Sequence, residues 1–124
     1  MTTGQEELYL QLRAHTRGLH SSTAAVELLI AHRGWLHRAD FRDQFLFTGT
    51  DFDTGEVTTG VDWPQTLQAL DHGQLPCSGS EARILRIAAS LGAGVPVNLR
   101  EALTELDAVN TALVANAVTR ATGH

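Results

Sequence analysis

The stretch Leu75–Leu91, LPCSGSEARILRIAASL, decides how the chain reads. Ser78 and Glu81 stand three residues apart ahead of an apolar run. That is capping-box spacing, in which the serine hydroxyl and the glutamate carboxylate each accept a backbone N–H at a helix start. Ser78 is the predicted N-cap, and Cys77 is the residue before it. Ala82, Ile84, Leu85, Ile87, Ala88, Ala89 and Leu91 follow, leaving Arg83, Arg86 and Ser90 on one narrow stripe. A helix apolar over about two-thirds of its circumference belongs in the middle of a domain.

Working outward, the same capping logic recurs. Thr3 and Glu6 have box spacing, Leu8, Leu12, His15 and Leu19 fall on one face, and Gly18 offers a stop. A second helix is predicted from about Thr23 to about His32, apolar nearly all round except at Glu27, with Gly34 to close it. Asp40 is the expected cap of a short helix carrying Phe41 and Phe45. Asp62 is the expected cap of another, with Pro64 tolerated in its first turn, Leu67 and Leu70 inside and Gly73 at its end.

Past Leu91 the run GAGVPVN breaks the pattern. Asn98 and Glu101 repeat the box spacing ahead of Leu99, Ala102, Leu103 and Leu106. Asp107 is a better cap than a helix-interior residue. It therefore predicts two helices across residues 99–121, with a corner near Leu106–Asp107. Val109, Leu113, Ala117 and Val118 are expected on one face of the second.

Residues 47–62, FTGTDFDTGEVTTGVD, hold three Gly and five Thr and show no helical period. They predict a long loop or irregular hairpin, with DTGE as the turn and VTTGV as a strand. Six of the seven aromatic residues lie between Trp35 and Trp63. Their expected role is to pin this irregular part onto the helices, because large rings bury the most area per residue. The fold class is therefore mainly α: residues 1–124 as one domain, a helical bundle of five to seven helices with an irregular or short hairpin segment near 47–62.

Composition narrows the function. The 124 residues are 43% hydrophobic and 19% charged, enough to bury a core and too apolar for disorder. The net charge of −5, with nine basic residues that are all arginine, gives no long-range attraction for nucleic acid or an anionic membrane. One cysteine makes no internal disulfide, which points to a reducing compartment. The first residues, MTTGQEELYL, lack a basic segment before an apolar run, so no secretory leader is expected. The apolar run AAVELLIA is too short to span a bilayer. The expected location is cytoplasmic.

The chemical motifs are weak. A thiol at a helix N-terminus can have a lowered pKa, so Cys77 is the one nucleophile candidate, with His72 five residues away. It needs a positioned base, and a small buried hydrophobe is the commoner fate of a lone cysteine. Asp53-Thr54-Gly55 matches the D-T-G of aspartic proteases, but Glu56 follows, helices flank it, and a second copy would have to supply the second aspartate. Asp51, Asp53 and Asp62 match positions 1, 3 and 12 of a calcium loop, but Gly55 stands one place early. His32 and His37 are one residue too far apart for a shared helix face, and Gly34 interrupts them. Arg33, Arg38 and Arg42 alternate with Asp40 and Asp43 and read as a solvated surface. A helix-turn-helix forced onto 81–106 has too long a connection and places Glu101 and Glu105 on its recognition helix. No site residue, metal or cofactor is assigned on these grounds.

The run VDWPQTLQALDHGQLPCSGSEARILRIAASL, followed by PVNLREALTELDAVNTALVANAV, resembles small proteins of high-GC actinobacteria. The shared pattern is D-W before a short helix, LPCS-x-SE, AASL, and LD-x-x-N opening the last helix, over about residues 61–119. The resemblance implies no activity. It implies that the Cys77 segment is structural.

The expected function is a non-enzymatic protein-interaction or regulatory module working through protein contacts. The alternative is a small enzyme or ligand binder using Cys77 with a nearby histidine, or the 47–62 segment as a lid. A homodimer is also expected. Segments 24–31, 82–91 and 109–121 have apolar arcs wider than one packed face needs, and exposed apolar helix faces pair. The last helix is the best candidate, with an Ala108, Ala112 and Ala115 stripe for close approach and Leu113 and Val114 for contact area. The competing arrangement packs all three segments into one three-helix core.

Overall fold

The computed structural model describes residues 2–123, with side chains from Gly4 onward. Seven α-helices and one β-hairpin follow in the order α1 (Thr2–His15), α2 (His20–His32), a 3₁₀ turn (Trp35–His37), α3 (Ala39–Phe45), β1 (Leu46–Thr50), β2 (Val57–Val61), α4 (Trp63–Asp71), α5 (Gly79–Ala93), α6 (Leu99–Leu103) and α7 (Ala108–Ala121). The mainly α expectation holds, and so does the short hairpin near 47–62. No helix among the described residues is long and apolar enough to cross a membrane.

Four of the capping signals read from the sequence form as real hydrogen bonds. Ser78 Oγ accepts the Glu81 N–H at 3.1 Å and Glu81 Oε1 accepts the Ser78 N–H at 2.8 Å, a complete reciprocal box. Asp62, Asn98 and Asp107 each accept the N–H three residues on, at 3.2, 3.2 and 2.7 Å. At the far end of α5, Gly94 takes the left-handed conformation (φ 70°) that ends a helix without steric cost. Residues 99–121 divide into α6 and α7 as expected, and Glu105, with φ 61°, makes the corner. The Thr3–Glu6 box falls on a side chain outside those described.

α2 packs against α5 and α7, and α5 also meets α7, so the three widest apolar arcs form one three-helix core. Ala24, Ala25, Ala88 and Ala89 are each 0% exposed, which brings backbone close to backbone. α4 covers α5, and β2 lies on α1. The Arg13 guanidinium donates to both Glu27 carboxylate oxygens, at 2.7 and 3.1 Å, so the one charge within the apolar run of α2 is paired with α1.

Four local expectations need correction. α2 begins at His20 rather than Thr23, because Leu19 leaves the α1 face and serves as its N-cap, 59% exposed. Arg33, not Gly34, takes the positive-φ position after α2 (φ 73°, ψ −45°), and the Gly34 N–H closes back on the His32 carbonyl at 2.9 Å. That is a γ-turn, a strained geometry held by its surroundings. Asp40 sits inside the first turn of α3, where Arg38 is the N-cap. The expected hairpin pairs residues 46–50 antiparallel with 57–61, from Leu46 opposite Val61 to Thr50 opposite Val57. Val109 and Val118 do not share the packed face of α7. They are 72% and 53% exposed, whereas Val114 and Ala117 are buried.

The aromatic expectation holds for four rings. Trp35, Phe41, Phe45 and Trp63 are buried, with Trp35–Phe41 and Phe41–Phe45 centroids 5.6 and 5.8 Å apart. Phe47 and Phe52 lie outside. Phe52, at the hairpin turn, is fully exposed.

Ser78→Ala removes one half of the α5 box and is expected to lower unfolding free energy by about 1 kcal/mol, the usual cost of losing an N-cap. Urea denaturation followed by circular dichroism measures it, and Ser78→Asp should restore most of the loss.

Candidate functional site

Cys77 lies in the lead into α5, beside Pro76, whose carbonyl meets Arg38 just after the 3₁₀ turn. Its side chain is half-buried and packs against the core. Burial pushes the thiol pKa above its ordinary value, and the Glu81 carboxylate adds to this, outweighing Arg38 and Arg86. The helix-terminus effect that would activate it is absent in outcome: the thiolate is disfavoured. No histidine hydrogen-bonds Cys77 among the described residues. His72 instead lines a cleft with Gln44, Gln65, Gln68 and Gln74 beside Phe45. The Cys77–histidine pair of the alternative reading forms no hydrogen bond among the described residues.

The residue that organises this corner is Arg38, read from sequence as one of a solvated set. Its guanidinium donates to both Asp40 oxygens at 3.0 and 2.6 Å and to the Pro76 carbonyl at 2.7 Å. It also lies 4.7 Å from the Trp35 ring centroid, a cation–π arrangement. The Trp35 indole N–H donates to the Glu81 carbonyl at 3.0 Å. Asp40 is held below the usual carboxylate range by Arg38, and Glu81 by the N–H of Ser78. The signal that was available is the i, i+3 spacing of Trp35 and Arg38.

His32 ends α2 beside Glu81 and Asp107. Its Nδ1 is fully occluded and has no hydrogen-bond partner. Burial lowers its pKa, against the pull of the two carboxylates. His37 lies apart, its Nε2 3.2 Å from the Tyr9 hydroxyl, so the two histidines share no site.

The acidic loop is a turn. Asp51 Oδ1 accepts the N–H groups of Asp53 and Thr54 at 2.8 and 3.2 Å, and Gly55 takes φ 73°. Asp62 is occupied in capping α4. No three His, Cys, Asp or Glu side chains among the described residues converge to hold a metal. α6, at five residues, is too short to be a recognition helix.

The surface that stands out is α7. Between Asp107 and Arg120 the helix carries no ionisable side chain. Leu113 and Val114 face the core rather than solvent, contrary to the role expected of them in a dimer contact. At 100° per residue, Ala108, Ala112, Ala115 and Thr119 stand opposite the buried side. All four are exposed, flanked by exposed Val109 and Val118.

No protein-family model matches the chain, and no curated protein or solved structure matches it.

Two outcomes are expected. Alkylation of Cys77 by iodoacetamide in the folded protein at neutral pH should run slower than that of a free thiol, and a faster reaction would restore the nucleophile reading. For His32, a folded pKa below the unfolded 6.5 means the unfolded chain binds the proton more tightly. The stability this confers is complete above pH 6.5 and is lost as pH falls through the lower, folded value. Asp40 and Glu81, also depressed, lose theirs only below the ordinary carboxylate range. Urea midpoints should fall from pH 7.5 toward pH 5.5 and should fall less in His32→Gln.

Proposed function

We infer that the protein is a non-enzymatic module of the cytoplasm that works through protein contacts, and that α7 pairs with α7 of a second copy. The observation that carries the reading is the outward face of α7, uncharged over residues 108–119 with Val109 72% and Val118 53% exposed. Monomers seldom leave such a face in water. A second copy is the favoured occupant because its own α7 is equally uncharged. The net charge of −5 per chain then lies away from the contact. The alanines let two backbones approach, and the valines supply contact area at either end.

Magnitude sets the strength. A 14-residue helix is about 21 Å long, so one face supplies only part of the roughly 800 Å² per partner of a standard interface. The pair is a weak dimer that dissociates at micromolar concentration. Reversible pairing at that strength suits a regulatory module whose state follows its own concentration.

Light scattering from micromolar to millimolar protein is expected to show the mass rising from one 13.4 kDa chain toward twice that value. Ala112→Glu should hold it at one chain without altering the circular dichroism. A wild-type mass that stays at one chain on concentrating would sink the reading.

A further inference from the structure

A second feature lies near the far end of α5 from Cys77. A cavity of about 190 Å³ opens where the α1–α2 junction, β2, the start of α4 and the end of α5 meet. Leu19, Val26 and Val61 give it apolar walls, and His15, Ser22 and Trp63 give it polar ones.

The decisive group is the Trp63 indole N–H. Trp63 is 8% exposed, and its Nε1 donates to no protein atom among the described residues. His32 Nδ1 is the only fully occluded side-chain nitrogen or oxygen left without a partner among them. The Trp63 nitrogen, equally unpaired, therefore reaches open space, and the space that Trp63 lines is this cavity. Gly92 lines it too: a Cβ there would stand 2.4 Å from that nitrogen. Glycine is what lets the α5 backbone pass under the ring and leaves the N–H clear. On β2, Gly60 makes room for the Phe47 ring, 2.4 Å from where a Cβ would stand, and for His15 Nε2 at 2.8 Å. The His15 imidazole and the Ser22 hydroxyl also lack hydrogen-bond partners among the described residues, whereas the Thr59 hydroxyl bonds Gln11 at 2.8 Å.

The buried Trp63 N–H and the half-buried Ser22 hydroxyl thus line one apolar-walled cavity, with the exposed His15 imidazole, edge-on to Phe47, at its rim. An indole N–H only donates, so it requires an acceptor. The walls hold no arginine and no carboxylate, and a desolvated anion without a fixed cation is costly. A cavity of about 150 Å³ with apolar walls holds benzene, so this volume takes one small ring with a short substituent. We propose that this cavity is a binding site for a small neutral carbonyl compound of about single-ring size. Its carbonyl oxygen accepts from Trp63 Nε1–H, and Ser22 and His15 complete the polar contacts. The site shares no residue with the α7 face and stands or falls separately from it.

The test uses benzamide as the probe, with benzoate as its anionic counterpart, on the ¹⁵N-labelled full chain. Trp63→Phe assigns the two indole resonances. The Trp63 indole and the Gly92 amide are expected to shift saturably at millimolar benzamide. The Trp35 indole, already bonded to the Glu81 carbonyl, should stay in place. Ser22→Ala, a half-buried position outside the core, should weaken the titration about fivefold, as loss of one hydrogen bond does. Benzoate should bind more weakly than benzamide. Shifts that never saturate, equal movement of both indoles, or tighter binding of benzoate would each overturn the proposal, the first by leaving only water in the cavity.

Discussion

Everything else in the molecule is arranged around the close approach of α2 and α5. Ala24 and Ala25 on one and Ala88 and Ala89 on the other are wholly buried, and no larger side chain fits where backbones lie so near. Added volume in such a place costs about 1–3 kcal/mol, because neighbours must leave their rotamers. Once these two helices are set, α7 closes the third side, α4 covers α5, and α1 carries the hairpin. The γ-turn at Arg33 is a consequence of the same constraint. α2 must stop abruptly so that Trp35 can turn back and donate to the carbonyl of Glu81, at the first turn of α5. The strain at Arg33 is held in place by the burial of Trp35 and Leu36, both 0% exposed.

The parts legible in the sequence were those that physics settles within four residues. Ser78, Asp62, Asn98 and Asp107 each advertise a cap because acceptor and N–H are three positions apart whatever the rest of the chain does. Glycine at 18, 73 and 94 advertises a helix end for the same reason. The parts that stayed hidden depend on partners far away. β1 is nearly all exposed and Thr- and Gly-containing, so only its pairing with β2 makes it a strand. Arg38 looked like one surface arginine among several until Pro76, 38 residues on, supplied a carbonyl. The direction of Leu113 and Val114 followed from where α2 lies, which periodicity on α7 alone does not specify.

The candidate site was legible in one half. Sequence placed Cys77 at a helix entrance, and it is there. Its chemistry depends on surroundings that spacing does not reveal. A carboxylate from the capping box and a dry flank raise the thiol pKa, although an arginine stands nearby. The cavity beside Trp63 was invisible for a related reason. Its walls come from five elements, and the glycines at 60 and 92 read in sequence only as part of a strand and as a helix end.

The burial of α2 has a consequence for biosynthesis. α7, which covers one flank of α2, begins 76 positions after α2 ends, at residue 108 against residue 32. At about 5–20 residues per second, the ribosome leaves that flank uncovered for roughly 4–15 seconds. During that interval α2 presents leucine and isoleucine to whatever is near. Of the two helices that pack most closely on α2, α5 is completed first. The order of elements along the chain therefore makes the pairing of α2 with α5 the natural early step, and leaves α7 to close a half-built core as the last of the three to emerge.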